Sequence, residues 1–244
     1  MIRMDRGQPI ILYQGEPTPC PYLNGKTWIT HLFASRKISP ALYETLLSRG
    51  FRRSGYLFYR NQCEDCTSCI PLRIPVSQFR PSPSMKKCLR RNRDVEVLET
   101  SIAFDKEVFA LYRRYSVYKH GKEEPSVQEE GFRRFLCSSP LDTRMLRYTV
   151  KGKTVGVSWL DYLPNSLSSV YFAFEPEEAK RSLGTFSVLK EIEIARMSGR
   201  EYYYLGFYVP GSPKMSYKAR FKPHELLLNG QWRDPATLLA SFDA

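Results

Sequence analysis

MLRYTVKGKTVGVSWLDYLPNSLSSVYFAF, residues 145–174, alternates apolar and polar side chains and is interrupted twice by turn-forming residues. MLRYTVK, TVGVSWLDYL and LSSVYFAF read as three strands joined at Gly152-Lys153 and Pro164-Asn165. Connections this short fit antiparallel pairing, because parallel neighbours need a crossover. Leu183 to Ser198 follows as a helix stopped by Gly199, and Glu201 to Val209 (EYYYLGFYV) is a further strand. Three strands, a helix and a strand predict an α+β fold on a mostly antiparallel sheet.

Upstream, Ser39 to Gly50 predicts a short helix with Ser39 as N-cap, Pro40 at the first helical position and Gly50 as its stop. FRRSGYLFYRN predicts a strand or hairpin, and IPLRIP (70–75) an extended segment, since two prolines do not fit a helix interior. Ser82 and Pro83 open a second helix. On it Lys86, Lys87, Arg90 and Arg91 share one face, opposite Met85, Leu89 and Cys88. Phe104, Val108, Leu111, Tyr115 and Tyr118 form an apolar stripe of core type, and Ser126 with Glu129 predicts a capping box for a helix through Cys137.

The composition limits the functions open to this chain. Its 244 residues suffice for one large domain or two modest ones, and 42% hydrophobic content argues against a disordered chain. No apolar run reaches signal-peptide or membrane-spanning length, so a cytoplasmic place and no membrane partner are expected. Thirty-seven Lys and Arg against 25 Asp and Glu leave a net charge of +12, which favours a polyanionic partner. The positive charge is densest from Arg80 to Arg93, where no acid intervenes, so this helix is expected to contact nucleic-acid backbone rather than serve as a mixed solvated face.

The turn EPEEAKRSLGTF brings Lys180, Arg181, Ser182, Gly184 and several backbone amides to a helix N-terminus, a common place to hold phosphate. Arg181-x-x-Gly184 resembles part of the (Gln/Arg)-x-x-Gly-x-(Gly/Ala) loop of the GNAT acyltransferases, which binds the coenzyme A pyrophosphate. Phe186 replaces the last small residue and would crowd that coenzyme. The expectation is a GNAT-like α+β fold whose acyl donor is aminoacyl-tRNA; an acetyl-coenzyme A enzyme is the alternative. The expected division is residues 1–95, a smaller cysteine-containing N-terminal domain with the basic helix, and 96–244, the GNAT-like transferase domain.

Further motifs are Pro19-Cys-Pro-Tyr-Leu23, GFRRSGYLFYR (50–60), Cys63-x-x-Cys66-x-x-Cys69-Ile-Pro, Phe79-Arg-Pro-Ser, Arg181-Ser-Leu-Gly184, Tyr204-Leu-Gly-Phe207 and Pro213-Lys-Met-Ser-Tyr-Lys218. Together they resemble the arginyl-tRNA–protein transferase family, most closely its bacterial aspartate/glutamate leucyltransferase branch, from about residue 9 to 233. The resemblance implies transfer of leucine from charged tRNA to proteins beginning with Asp or Glu, creating an N-degron. His120-Gly-Lys-Glu-Glu-Pro-Ser126 departs from a His-Ala-Asp-Gly-Asp-Met-like segment of relatives. Arginine as donor and a basic acceptor N-terminus therefore stay open.

The implied reaction is aminolysis of an activated ester, in which positioning and removal of one amine proton supply most of the catalysis. Asp161 and Glu175 are the candidate bases and Tyr171 a candidate relay, against the plainer roles of loop cap for Asp161 and core aromatic for Tyr171. Arg52, Arg53, Lys214 and Lys218, with Tyr217, sit in the resembling motifs and are the candidates for holding an acidic acceptor side chain. Lys86, Lys87, Arg90, Arg91, Lys180, Arg181, Ser182 and Gly184 are the candidates for tRNA. The three histidines lack an evident Ser or Cys partner, so no nucleophile triad is read.

Cys63, Cys66 and Cys69 need a knuckle-like loop to converge, and a structural zinc or iron–sulfur site also wants a fourth ligand, for which Cys20 is the candidate. Cysteines in the N-terminal domain of eukaryotic relatives are implicated in such binding, at different spacing. Reduced thiols near the acceptor site, or a disulfide, are the other readings. The transfer chemistry itself requires no cofactor.

Overall fold

The structure, a computed structural model, describes residues 9–121, 123 and 126–236. Lys122, Glu124 and Pro125 of the divergent segment lie outside the described residues.

The chain begins with β1 (Tyr13–Gln14), β2 (Thr18–Pro19), β3 (Thr27–Trp28) and β4 (Thr30–Ala34), then α1 (Pro40–Ser48). The hairpin β5 (Arg52–Ser54) and β6 (Leu57–Asn61) turns at Gly55, whose φ is +58°. A Cβ there would lie 2.2 Å from the Arg134 carbonyl oxygen, so only glycine admits the chain that packs against it. β1, β4, β6 and β5 form a small four-stranded sheet whose Phe33 and Phe58 pack on Tyr43, Leu46 and Leu47 of α1. The Ser39 hydroxyl caps α1 by accepting from the Leu42 amide at 3.2 Å.

The remaining elements are β7 (Ile70–Pro75), α2 (Pro83–Arg91), β8 (Glu96–Ser101), α3 (Lys106–His120), α4 (Glu129–Leu136), β9 (Thr143–Val150), β10 (Lys153–Tyr162), β11 (Ser166–Phe174), α5 (Leu183–Met197), β12 (Tyr202–Tyr208), β13 (Glu225–Leu228) and β14 (Gln231–Arg233). The eight-stranded sheet runs β14-β13-β7-β12-β11-β10-β9-β8. All of its pairings are antiparallel except β11 with β12. The α+β, GNAT-like arrangement expected from the sequence is present: an antiparallel meander, a helix, and a strand returning parallel to the meander's last member.

Alternating side chains send Leu146, Tyr148 and Leu160 toward α2 and α5, and Met145, Val157 and Trp159 toward α3 and α4, giving three layers. β7, which precedes the 95/96 division, lies between β13 and β12, so the large sheet draws on both sides of it. Two sequence expectations are corrected locally. Ser126 does not cap α4: its hydroxyl donates to the Glu123 carbonyl, and Gln128 occupies the N-cap without a capping bond from its side chain. Tyr118, expected in the core stripe, is 55% exposed near the end of α3. Among the described residues no helix is long and apolar enough to cross a membrane.

Candidate functional site

β11 and β12 pair only over Ser166–Ser168 and Tyr202–Tyr204, although each strand continues. Two irregularities separate them. In β11 the register steps from Trp159↔Tyr171 to Leu160↔Ser169, leaving Val170 as an extra residue. In β12 it steps between Tyr204 and Gly206, which has a φ of +92°. Bulges bend a strand and end its pairing, and here they open a fork in the middle of the sheet.

Two cations meet in the fork. Arg52 arrives from β5, with Nη1 donating to the Ser168 hydroxyl at 3.0 Å and Nη2 to the Ser169 carbonyl. Lys218 arrives from the 3-10 helix Ser216–Arg220 and is buried. A Cβ on Gly206 would stand 3.2 Å from Lys218 Nζ and 3.7 Å from Arg52 Nη2, so glycine both takes the required φ and leaves room for the charges. Burial, and then the Arg52 charge, pull the Lys218 pKa down to about 7. Among the described residues neither cation has a carboxylate partner at ion-pair distance. A part-buried guanidinium beside a buried amine, with no counter-ion among the described residues, makes a site for an anion, whose charge would favour the protonated lysine.

A carboxyl lies behind the fork. Glu191 of α5 is 1% exposed and accepts a hydrogen bond from the Tyr203 hydroxyl at Oε2. Burial pushes its pKa up to about 7, against the hydroxyls of Tyr203, Ser158 and Ser169. Its Oε1 has no well-formed bond of its own. Tyr217, next to Lys218, has its hydroxyl pushed up to about 12 by burial and then by the Glu191 charge. Glu191, Tyr203, Ser168 and Ser169 were not singled out from the sequence, and Gly206 entered only as part of the Tyr204-Leu-Gly-Phe207 motif. For Glu191 a signal existed: Leu183, Ser187, Glu191 and Ala195 recur every four residues on the buried face of α5.

Of the residues proposed for the acceptor, the structure brings together Arg52 and Lys218, while Tyr217, the chain neighbour of Lys218, lies within reach of the Glu191 charge. Lys214 is exposed. Arg53 and Asp161 satisfy each other: Nε donates to Oδ2 at 2.6 Å, Nη2 donates to Oδ1, and the Thr143 hydroxyl donates to Oδ1 at 2.6 Å. Asp161 is 0% exposed, which corrects its reading as a base and that of Arg53 as an acceptor ligand. Glu175 is held by Arg114, whose Nε donates to Oε2 at 2.9 Å. Tyr171 packs among Tyr112, Tyr115, Phe135 and Trp159, and burial pushes its hydroxyl far above the usual range. These contacts place Glu175 in an ion pair and Tyr171 in the core.

The basic stripe is where the sequence put it. Lys86, Lys87, Arg90 and Arg91 are exposed, while Met85 and Cys88 are buried. Arg91 Nη1 donates to the Lys180 carbonyl at 2.6 Å, tying α2 to the loop before α5. Arg91, Arg93, Asp94, Lys180 and Arg181 line an open groove of about 770 Å³. Arg181 is paired with Asp94 at 2.8 Å and Glu178 at 2.6 Å, so its charge is internally matched. Ser182 is exposed at a φ of +59°, and a Cβ on Gly184 would meet nothing within 4 Å.

All six cysteines are free. Cys20, Cys63 and Cys66 lie near enough to Cys69 to help raise its pKa, after burial, to about 11. Among the described residues, however, no three His, Cys, Asp or Glu side chains converge as metal ligands.

Comparison with known proteins decides the family. Residues 18–87 match the family described as "Arginine-tRNA-protein transferase, N terminus", and residues 107–228 match "Arginine-tRNA-protein transferase, C terminus". The chain belongs to the arginine-tRNA-protein transferase family. Curated family members named aspartate/glutamate leucyltransferase are similar along nearly their whole length. The protein from Chromobacterium violaceum is 36% identical over 228 residues, covering 92% of this chain and 93% of its own. One from Pseudomonas fluorescens is 38% identical over 223 residues, covering 90% and 94%. Among solved structures, FemX aligns at a TM-score of 0.45 and 11% identity, over 71% of this chain and 61% of its own. For this transferase family member, the fork of β11 and β12 and the stripe on α2 are the two features that ask for substrates.

Proposed function

We propose that the protein transfers leucine from charged tRNA to the α-amine of proteins that begin with Asp or Glu, marking them for degradation in the cytoplasm. The observation that carries the acidic-acceptor reading is the pairing of part-buried Arg52 with buried Lys218, with no carboxylate at ion-pair distance among the described residues. An acceptor carboxylate supplies the missing counter-charge, whereas an acceptor Lys or Arg would add a third positive charge. The leucine donor rests on the names of the relatives.

In this reading the acceptor side chain docks on Arg52 and Lys218, which fixes its neighbouring α-amine over the fork. The ester carbonyl of the aminoacyl-tRNA is brought to the same place, with the tRNA backbone along α2. The amine attacks the carbonyl, and the bond to the ribose oxygen breaks. Holding both substrates in one geometry supplies most of the acceleration, because the ester is already activated. Acetyl transfer from coenzyme A is disfavoured because Phe186 is buried against Tyr148 and α2 is tied to the loop where the pyrophosphate would lie.

The test is transfer of labelled amino acid from Leu-, Arg- and Phe-tRNA, charged separately, to a peptide beginning with Asp. Label from Leu-tRNA alone is the expected result; label from Arg-tRNA alone, or from none, contradicts the donor assignment.

The stripe carries its own prediction. Replacing Lys86, Lys87 and Arg90 together with Gln should weaken tRNA binding about tenfold or more at low salt. It should also flatten the slope of log K against log[salt] by about 0.7–0.9 for each phosphate that is no longer neutralised. Filter binding across a salt series measures both, and an unchanged slope contradicts backbone binding by α2.

A further inference from the structure

Glu191 is a carboxyl that no step above uses, and its surroundings are unusual for a structural one. It sits on the inner face of α5 among hydroxyl groups from five other elements. Tyr203 of β12 donates to it, Ser158 of β10 and Ser169 of β11 lower its pKa, and the phenols of Tyr148 on β9 and Tyr217 on the 3-10 helix both sense its charge. None of these five groups is a cation. A purely structural carboxylate at 1% exposure would be expected to have both oxygens fully bonded, yet Oε1 has no well-formed bond. Ser169 links this cluster to the fork. Its carbonyl accepts from Arg52, its hydroxyl acts on Glu191, and it is only half-buried where its neighbours Leu167 and Ser168 are buried.

We propose that Glu191 acts from behind the fork as a proton-holding residue, taking a proton from the attacking amine through the Ser169 hydroxyl and returning it to the departing ribose oxygen. This role rests on the transfer reaction proposed above. The acceptor's ammonium first loses one proton to solvent. The neutral amine then forms the new C–N bond at the ester carbonyl, and the proton on the now-cationic nitrogen passes by way of Ser169 Oγ to the Glu191 carboxylate. The C–O bond to the ribose breaks, and the same proton leaves Glu191 for the ribose oxygen, giving amide and alcohol with Glu191 ionised again. Glu191 reaches the substrates through Ser169, so it is a positioning residue rather than a catalytic one in the contact sense.

The sign of the pH dependence follows. Glu191 must be ionised, and its pKa of about 7 lies well above the 4.5 of an ordinary glutamate. The acceptor amine must be neutral, with an ordinary pKa of about 7.7–8.0. Both requirements are lost as pH falls, so log(kcat/KM) of the wild-type protein should approach a slope of about 2 below pH 6. E191Q retains only the amine and should show a slope of about 1, with a loss of about 100-fold at pH 7. S169A leaves the carboxyl in place but removes the relay, and should give the same change of slope should E191Q fold poorly. Parallel profiles for wild type and both variants, whatever the size of the loss, overturn the proposal while leaving the transfer reaction standing. No transfer by the wild-type protein from any charged tRNA overturns the functional reading, and this role with it.

Discussion

Lys218→Met is expected to lower kcat/KM for Asp- and Glu-initiated peptides by about 100-fold while raising the melting temperature by several degrees. The loss follows from removing one of two charges that face the acceptor carboxylate, a deletion that costs about 2–5 kcal/mol in desolvated pairs. The gain follows from linkage. The folded-state pKa of Lys218, about 7, lies below its ordinary 10.5, so between these values the unfolded chain binds more protons. Stability therefore rises with pH across that window, and the full penalty of the buried ammonium is felt below it. Methionine fills a similar volume without the charge and should recover on the order of 3 kcal/mol at pH 6, with much less difference near pH 10. Thermal unfolding at the two pH values, with peptide kinetics beside it, measures both effects. A variant that keeps its activity on Asp peptides, or melts lower than wild type at pH 6, contradicts the placement of Lys218.

The second large effect is on folding. Asp161→Asn breaks a buried bidentate pair and leaves the Arg53 guanidinium, 5% exposed, without its counter-charge. The expected cost is about 3–5 kcal/mol, or roughly 10 °C in melting temperature for a chain of this size. Replacing both partners, Arg53→Met with Asp161→Asn, should restore much of it, because no uncompensated ion remains. The pair also holds β5 against β10 and so positions Arg52, the residue just before Arg53. A base at Asp161 would behave oppositely, losing the acid limb of the rate profile with stability unchanged. Urea unfolding of Asp161→Asn separates the two.

Local signals carried much of the architecture into the sequence. Alternation located β9, β10 and β11, glycine stops and a serine cap bounded α1 and α5, and helical spacing put the α2 lysines and arginines on the exposed face. Long-range pairing was not legible. Arg53 and Asp161 are 108 residues apart and look, one by one, like a substrate cation and a base. β7 carries two prolines and gives no sign that it inserts between β13 and β12. The fork depends on the extra residue Val170 and on Gly206, and a bulge has no alternation signal of its own. Arg52 and Lys218 were found through their motifs. Their lack of a counter-ion among the described residues, which gives them their meaning, is a property of the folded arrangement. Glu191 could have been found by asking why a single acid sits on the apolar face of α5.

The most direct test of the account compares peptides that begin with Asp and with Asn, which differ at the group meant to meet Arg52 and Lys218. With Leu-tRNA saturating and pH held at 7, kcat/KM for the Asp peptide should exceed that for the Asn peptide by about 100-fold. Lys218→Met should shrink that ratio toward one. Equal rates on the two peptides with the wild-type protein would show that Arg52 and Lys218 do not read the acceptor's charge.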